Sequence, residues 1–131
     1  MNYNNLNIED FEKVLVKEFP EMYSNMYGDV MKTCLHYGLE TPTGWNNLIY
    51  NLSRSIYKYC KESKIDFPIV GQVKEKFYGL RFYLDMSTCK QVDMMISEAE
   101  HTSYSLCFKC GFYFVKTNYD VYCNDCKKKS K

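Results

Sequence analysis

Cys107-Phe-Lys-Cys110 and Cys123-Asn-Asp-Cys126 are two C-x-x-C pairs separated by twelve residues. Two such knuckles let four thiolates converge tetrahedrally on one ion. A redox C-x-x-C needs only one pair, and an iron–sulfur cluster is the less common use of this spacing. Four thiolates with no histidine favour a closed, structural Zn2+ site, with no open position for catalysis. Gly111, directly after Cys110, permits the tight turn of a knuckle. The intervening FYFVKTNYDVY reads as two short strands with a turn near Asn118. Of the other cysteines (Cys34, Cys60 and Cys89), Cys60 lies on an apolar helical stripe and reads as a small core residue.

A second group of reactive side chains sits in QVKEKFYGLRFYLD, Gln72 to Asp85. Hydrophobic sorting favours a hairpin with Tyr78-Gly79 at a four-residue tip and Lys76 opposite Arg81. One face then holds Val73, Phe77, Leu80, Phe82 and Leu84, with Glu75 among them. The other holds Gln72, Lys74, Lys76, Arg81, Tyr83 and Asp85. A competing register uses a three-residue loop with Gly79 in a left-handed bulge and pairs Glu75 with Arg81. In the favoured register like charges face each other, which costs stability. Phosphate oxygens would relieve that repulsion, with Arg81 able to bind two of them, while an aromatic stacks on a base. The bland reading is a solvated hairpin face. Glu75, on the inner face, needs a partner, and Lys74 and Arg54 are within reach in sequence terms.

His36, His101, Glu98 and Glu100 offer general acid–base chemistry, but no nucleophile–base spacing or open metal position assembles them. The expectation is a protein that is not an enzyme.

The elements that must hold these groups follow from the apolar pattern. Asn7 with Asp10 marks a helix start, Ile8, Phe11, Leu15 and Phe19 form its stripe, and Pro20 ends it. Met22 to Glu40 is broken by Gly28 and Gly38 into short helical pieces and loop. Thr43 is the expected cap of a long helix carrying Trp45, Leu48, Ile49, Leu52, Ile56, Tyr59 and Cys60, with Arg54, Ser55, Lys58 and Lys61 facing away. Strands follow Pro68, and Thr88 with Gln91 matches a capping box for a helix bearing Val92, Met95, Ile96 and Ala99. The fold class is α+β: helices packed on a β-hairpin, with a C-terminal four-cysteine ribbon. The expected organisation is a body over 1–105 (hairpin 68–85, helix 88–105), the ribbon over 106–126 and a basic tail over 127–131.

With 131 residues, 46% hydrophobic and 17% aromatic, the chain can bury a core and is not disordered as a whole. The net charge of +1 is uneven: KKKSK at the end holds four of 17 basic residues, leaving 13 basic against 16 acidic groups, or −3, on 1–126. A slightly acidic body lacks the broad positive field of a general nucleic-acid binder, so any polyanion site must be local. The polar start MNYNNLNIED does not read as a signal peptide, so none is expected, and no apolar run nears the roughly 20 residues needed to span a bilayer. Cysteines without a secretion signal point to metal ligands and a cytoplasmic protein with no membrane partner.

Taken together, Gly44-Trp45, Gln72 to Tyr83 (QVKEKFYGLRFY), Ala99-Glu100, Ser103 and CFKCG at Cys107 to Gly111 resemble a family of small proteins encoded by bacteriophages and prophages. The matching stretch covers roughly residues 31–126. The chain departs from that pattern in having ETPTGW where a more acidic, glycine-rich approach to the tryptophan is expected. The resemblance implies a phage context and action in the cytoplasm of the infected host. For such a protein, the expected function is capture of a nucleotide-derived host defence signal by Lys74, Lys76, Arg81 and Tyr83, with Trp45 as a further wall and a homo-oligomer interface as one way to close the pocket. The alternative is an adaptor binding nucleic acid or protein through the ribbon and the lysine tail, with Phe108, Lys109, Tyr113 and Lys116 exposed beside it.

Overall fold

A computed structural model of the protein describes residues 2–26, 35, 38–116 and 120–129. Expectations for Tyr27, Gly28, Cys34, His36, Tyr37, the Asn118 turn and the last two tail residues lie outside these. The described chain forms four helices and one antiparallel hairpin, an α+β arrangement ending in the four-cysteine cluster.

Helix α1, Ile8–Glu18, starts where the pattern puts it, because the Asn7 side chain accepts the Asp10 N–H at 2.8 Å. Phe11 and Leu15 are fully buried. Helix α2, Asn46–Ser63, buries Ile49, Leu52, Ile56 and Cys60 and leaves Arg54, Ser55, Lys58 and Lys61 exposed. Thr43 does not cap it. It opens a single 3-10 turn, Thr43–Trp45, and the orphan N–H of Asn47 donates instead to the Asn4 side chain, 2.8 Å away. Helix α3, Lys90–Ser103, follows Cys89 as its N-cap, while the Thr88 hydroxyl donates to Asp93 at 2.9 Å, so no capping box forms. Ser103 ends this helix two residues before the expected boundary.

Strands β1, Val70–Lys76, and β2, Gly79–Leu84, pair with Lys74 opposite Arg81, Val73 opposite Phe82 and Lys76 opposite Gly79. This corrects both sequence registers, although the division into faces survives for the strand residues because the side-chain period is two. The connection is a two-residue turn, Phe77-Tyr78, with φ of 52° and 72°. Tight two-residue hairpins demand positive φ, and here that demand overrides the ordinary reluctance of aromatic residues to adopt it. Phe77 is therefore not on the inner face but 74% exposed at the tip. On the other edge of β1, Glu40 makes one parallel bridge, donating to Val73 O at 3.0 Å and accepting from Glu75 N at 2.9 Å. Val73, Leu80 and Phe82 face a core built with Trp45, Ile49 and Ile56.

Two exposed aromatics in a left-handed turn store strain that Asn-Gly would not. Changing Phe77→Asn together with Tyr78→Gly should raise unfolding stability by about 1 kcal/mol. An increased urea midpoint checks this; a fall by a similar amount would show that the two rings support the fold.

Candidate metal centre and hairpin face

The first knuckle is placed by backbone contact with the body. Gly44 N–H donates to Phe108 O at 2.7 Å, and a Cβ at Gly44 would overlap the carbonyls of Cys107 and Phe108. Only glycine lets the knuckle lie this close. The Asn4 side-chain amide donates to Cys110 O at 3.1 Å, and Gly111 takes φ of 78° packed against Asn4 and the Gly44 carbonyl. Phe108 then meets Trp45 edge to face, with ring centroids 5.2 Å apart.

Cys107, Cys110, Cys123 and Cys126 bring their sulfurs within 4.8 Å of one another, and Cys110 Sγ lies 3.6 Å from Cys123 Sγ. Four sulfurs about 2.3 Å from a central ion would sit about 3.8 Å apart, so the donor set fits a tetrahedral dication after a small contraction. Lys109 N–H and Cys123 N–H point at Cys107 Sγ (3.4 and 3.3 Å), and Phe112 N–H at Cys110 Sγ (3.3 Å). Burial pushes the Cys107 thiol up, but the surrounding backbone N–H groups outweigh it and hold the thiol at about 6. Burial pushes Cys126 up to about 12 and raises Cys110 as well. A cation among the four would be needed to hold all of them as thiolates this close together. Cys126 comes from α4, Asn124–Lys129, so the helix carries the fourth donor and the first lysines of the tail, with Lys127 paired to Asp120. In place of two ribbon strands, the described residues show one bridge, Leu106 to Tyr113, and a bond from Phe114 N to Ser105 O at 2.8 Å. The six described cysteines are free thiols.

On the hairpin, Lys74, Lys76, Arg81 and Tyr83 do share the outer face. Each cation lies against an aromatic ring: Lys74 against Tyr83 (6.0 Å), Lys76 against Phe77 (5.6 Å) and Arg81 against Tyr104 (5.9 Å). Among the described residues no carboxylate pairs with them at salt-bridge distance. Arg81 donates to Leu80 O and to the Tyr104 hydroxyl, both at 3.0 Å, and the latter bond raises its basicity further. It keeps guanidinium donors free for a ligand. Trp45 is not part of this face; it is fully buried in the core. The groove that Tyr83 lines, about 370 Å³, carries Asp93 and Glu100 and none of the three cations.

Sequence reasoning missed several residues that fix these groups. Glu75 finds neither Lys74 nor Arg54; its carboxylate accepts the Tyr78 N–H at 2.8 Å and closes the turn. Ser103 Oγ accepts Leu80 N–H at 2.8 Å, and Glu100 accepts Phe82 N–H at 2.9 Å, so α3 docks β2 through polar groups. Lys116 is half-buried, its ammonium 4.3 Å from the Phe108 ring and 5.2 Å from Trp45, donating to Ser103 O at 2.8 Å. Burial pushes it down to about 8 against the opposing pull of Cys107 and Glu75. The Gly44-Trp45 pair was the available signal for the knuckle's seat. Lys109 and Tyr113 are exposed as expected, but Phe108 and Lys116, expected exposed beside the tail, are partly buried instead, because the ribbon folds back and packs them against Trp45.

One dication per chain is expected, with Cys107→Ser and Cys126→Ser each abolishing stoichiometric retention in native mass spectra. Cobalt loading should give the absorption bands of a tetrahedral tetrathiolate, and an octahedral spectrum would contradict the assignment. Among the described residues no helix is long and apolar enough to cross a membrane. The chain matches no protein-family model, no curated protein and no solved structure.

Proposed function

We propose that this chain is a zinc-stabilised, non-enzymatic binding module that holds nucleotide phosphates and bases on the outer face of its hairpin. Zinc suits the centre because it accepts a closed set of four thiolates without preference for other geometry. The observation that carries the binding reading is the hairpin tip. Phe77 and Tyr78 occupy a strained turn, are 74% and 41% exposed, and sit beside three cations without carboxylate partners. Strain that serves no packing is a pointer to function. Exposed rings alternating with cations provide stacking surfaces and phosphate donors together.

The form of the face favours a single strand of nucleic acid over an isolated nucleotide. The cations lie on an open surface, and a strand gains from crossing several ring–cation pairs in turn. Phe112, Tyr113 and Val115 are further exposed apolar residues on the ribbon. The −3 body limits this to a short footprint, since backbone binding scales with the phosphates neutralised. Capture of a small nucleotide signal in a phage-infected host is the second reading, favoured by the groove of about 370 Å³ next to Tyr83. Its carboxylates would accept base N–H groups, and a second copy of the chain would enclose the ligand.

Fluorescence anisotropy with a labelled single-stranded oligonucleotide tests the first reading. Arg81→Ala should weaken binding about tenfold. The Phe77→Asn, Tyr78→Gly variant should weaken it by a similar factor while remaining folded. With three phosphate contacts, log affinity should fall with log salt at a slope of about −2. Binding of a cyclic or ADP-ribose-like nucleotide without the oligonucleotide would move the assignment to the second reading. Oligonucleotide binding unchanged by both variants would remove the hairpin from either.

A further inference from the structure

We infer that Lys116 is a positioning residue through which metal at the four cysteines fixes the hairpin turn. This stands whatever the hairpin binds. The ammonium of Lys116 is where three parts of the fold meet. It donates to Ser103 O, at the end of α3, at 2.8 Å and approaches Tyr78 O, in the turn itself, at 3.4 Å. It rests on Phe108, between the two cysteines of the first knuckle, and on Trp45 at the head of α2.

The turn has few other supports. Tyr78 N–H is held by Glu75, and Leu80 N–H by Ser103 Oγ. Ser103 thus receives the turn's outgoing strand through its side chain and Lys116 through its carbonyl. Phe77 and Tyr78, both at positive φ, revert to commoner conformations unless their surroundings over-determine them.

Lys116 in turn depends on the ribbon. It lies two residues after Phe114, which packs against the cysteine cluster and whose N–H bonds Ser105 O. One dication and four thiolates carry a net charge of about −2, which holds an ammonium beside Cys107 where burial opposes it. Without the ion, the two knuckles have no common anchor, Phe114 loses its seat, and the ammonium is no longer delivered to the Tyr78 and Ser103 carbonyls. The second knuckle and the hairpin tip, far apart in sequence, become coupled, and by reciprocity a variant that frees the turn weakens metal retention.

Amide hydrogen exchange on the metal-loaded protein, before and after removal of the ion by a chelator, tests this. In the unmodified chain, Tyr78 and Leu80 amides should exchange at least tenfold faster after removal, while Ile56 in α2 changes less than threefold. In Lys116→Met, which keeps the apolar stem, the two turn amides should already be fast in the loaded protein and change less than twofold on removal. That variant should also lose its metal to a competing chelator several-fold more readily. If Lys116→Met fails to fold, Lys116→Gln, which can still donate to one carbonyl, should fall between the two. The inference is overturned if turn exchange ignores the metal, if Ile56 accelerates as much as Tyr78, or if Lys116→Met couples as the unmodified chain does.

Discussion

A missing side chain at Gly44 lets the Cys107–Cys110 knuckle lie against the backbone just ahead of α2. The Gly44 N–H bond to Phe108 O closes that contact, and Asn4 clamps the far side through Cys110 O while serving the first turn of α2 through Asn47. The N-terminal segment, the head of α2 and the metal centre are therefore one assembly. Burial of Trp45 beneath Phe108 follows from it, as does the cage in which Lys116 sits. A knuckle held only by its own sulfurs would be free to swing; this one is registered against the core.

The hairpin carries two costs that a purely structural hairpin would avoid. Lys74 faces Arg81 directly, and two aromatic residues adopt positive φ. The rings at Tyr83, Phe77 and Tyr104 offset part of the first through cation–π contact. They do not account for the second, because Phe77 packs on nothing in the core. Gly79 shows how tightly the base of the turn is drawn in: a Cβ there would overlap the Tyr104 ring that receives Arg81. The face is closely packed at its base and exposed at its tip, which suits a surface that meets a ligand.

The apolar period made α1, α2 and α3 legible, since Phe11, Leu15, Ile49, Ile56, Val92 and Ala99 are all buried as their spacing implied. The four-cysteine cluster was legible because convergence of two C-x-x-C pairs constrains sequence spacing directly. The hairpin register was not. Face assignment depends only on parity, whereas cross-strand partners depend on turn length, and the turn took residues that local preference disfavours. Asn7 caps α1 as expected, but the other two caps failed for a similar reason: Thr43 and Thr88 match local motifs, yet Asn4, distant in sequence, was the better partner for α2. Glu100 and Ser103 dock β2, a role that pattern and spacing did not announce. Lys116 was read as an exposed surface cation, because its actual place depends on where the ribbon folds back.

The central claim is that the hairpin tip and its cations form the contact surface. An amide-resolved NMR titration of the zinc-loaded protein with a short single-stranded oligonucleotide tests it most directly. The account predicts that the largest shifts fall on residues 74–83, with smaller ones along 112–116. Shifts confined to the lysines of 127–129, or no shifts at all, would contradict it and leave the hairpin face as solvated surface.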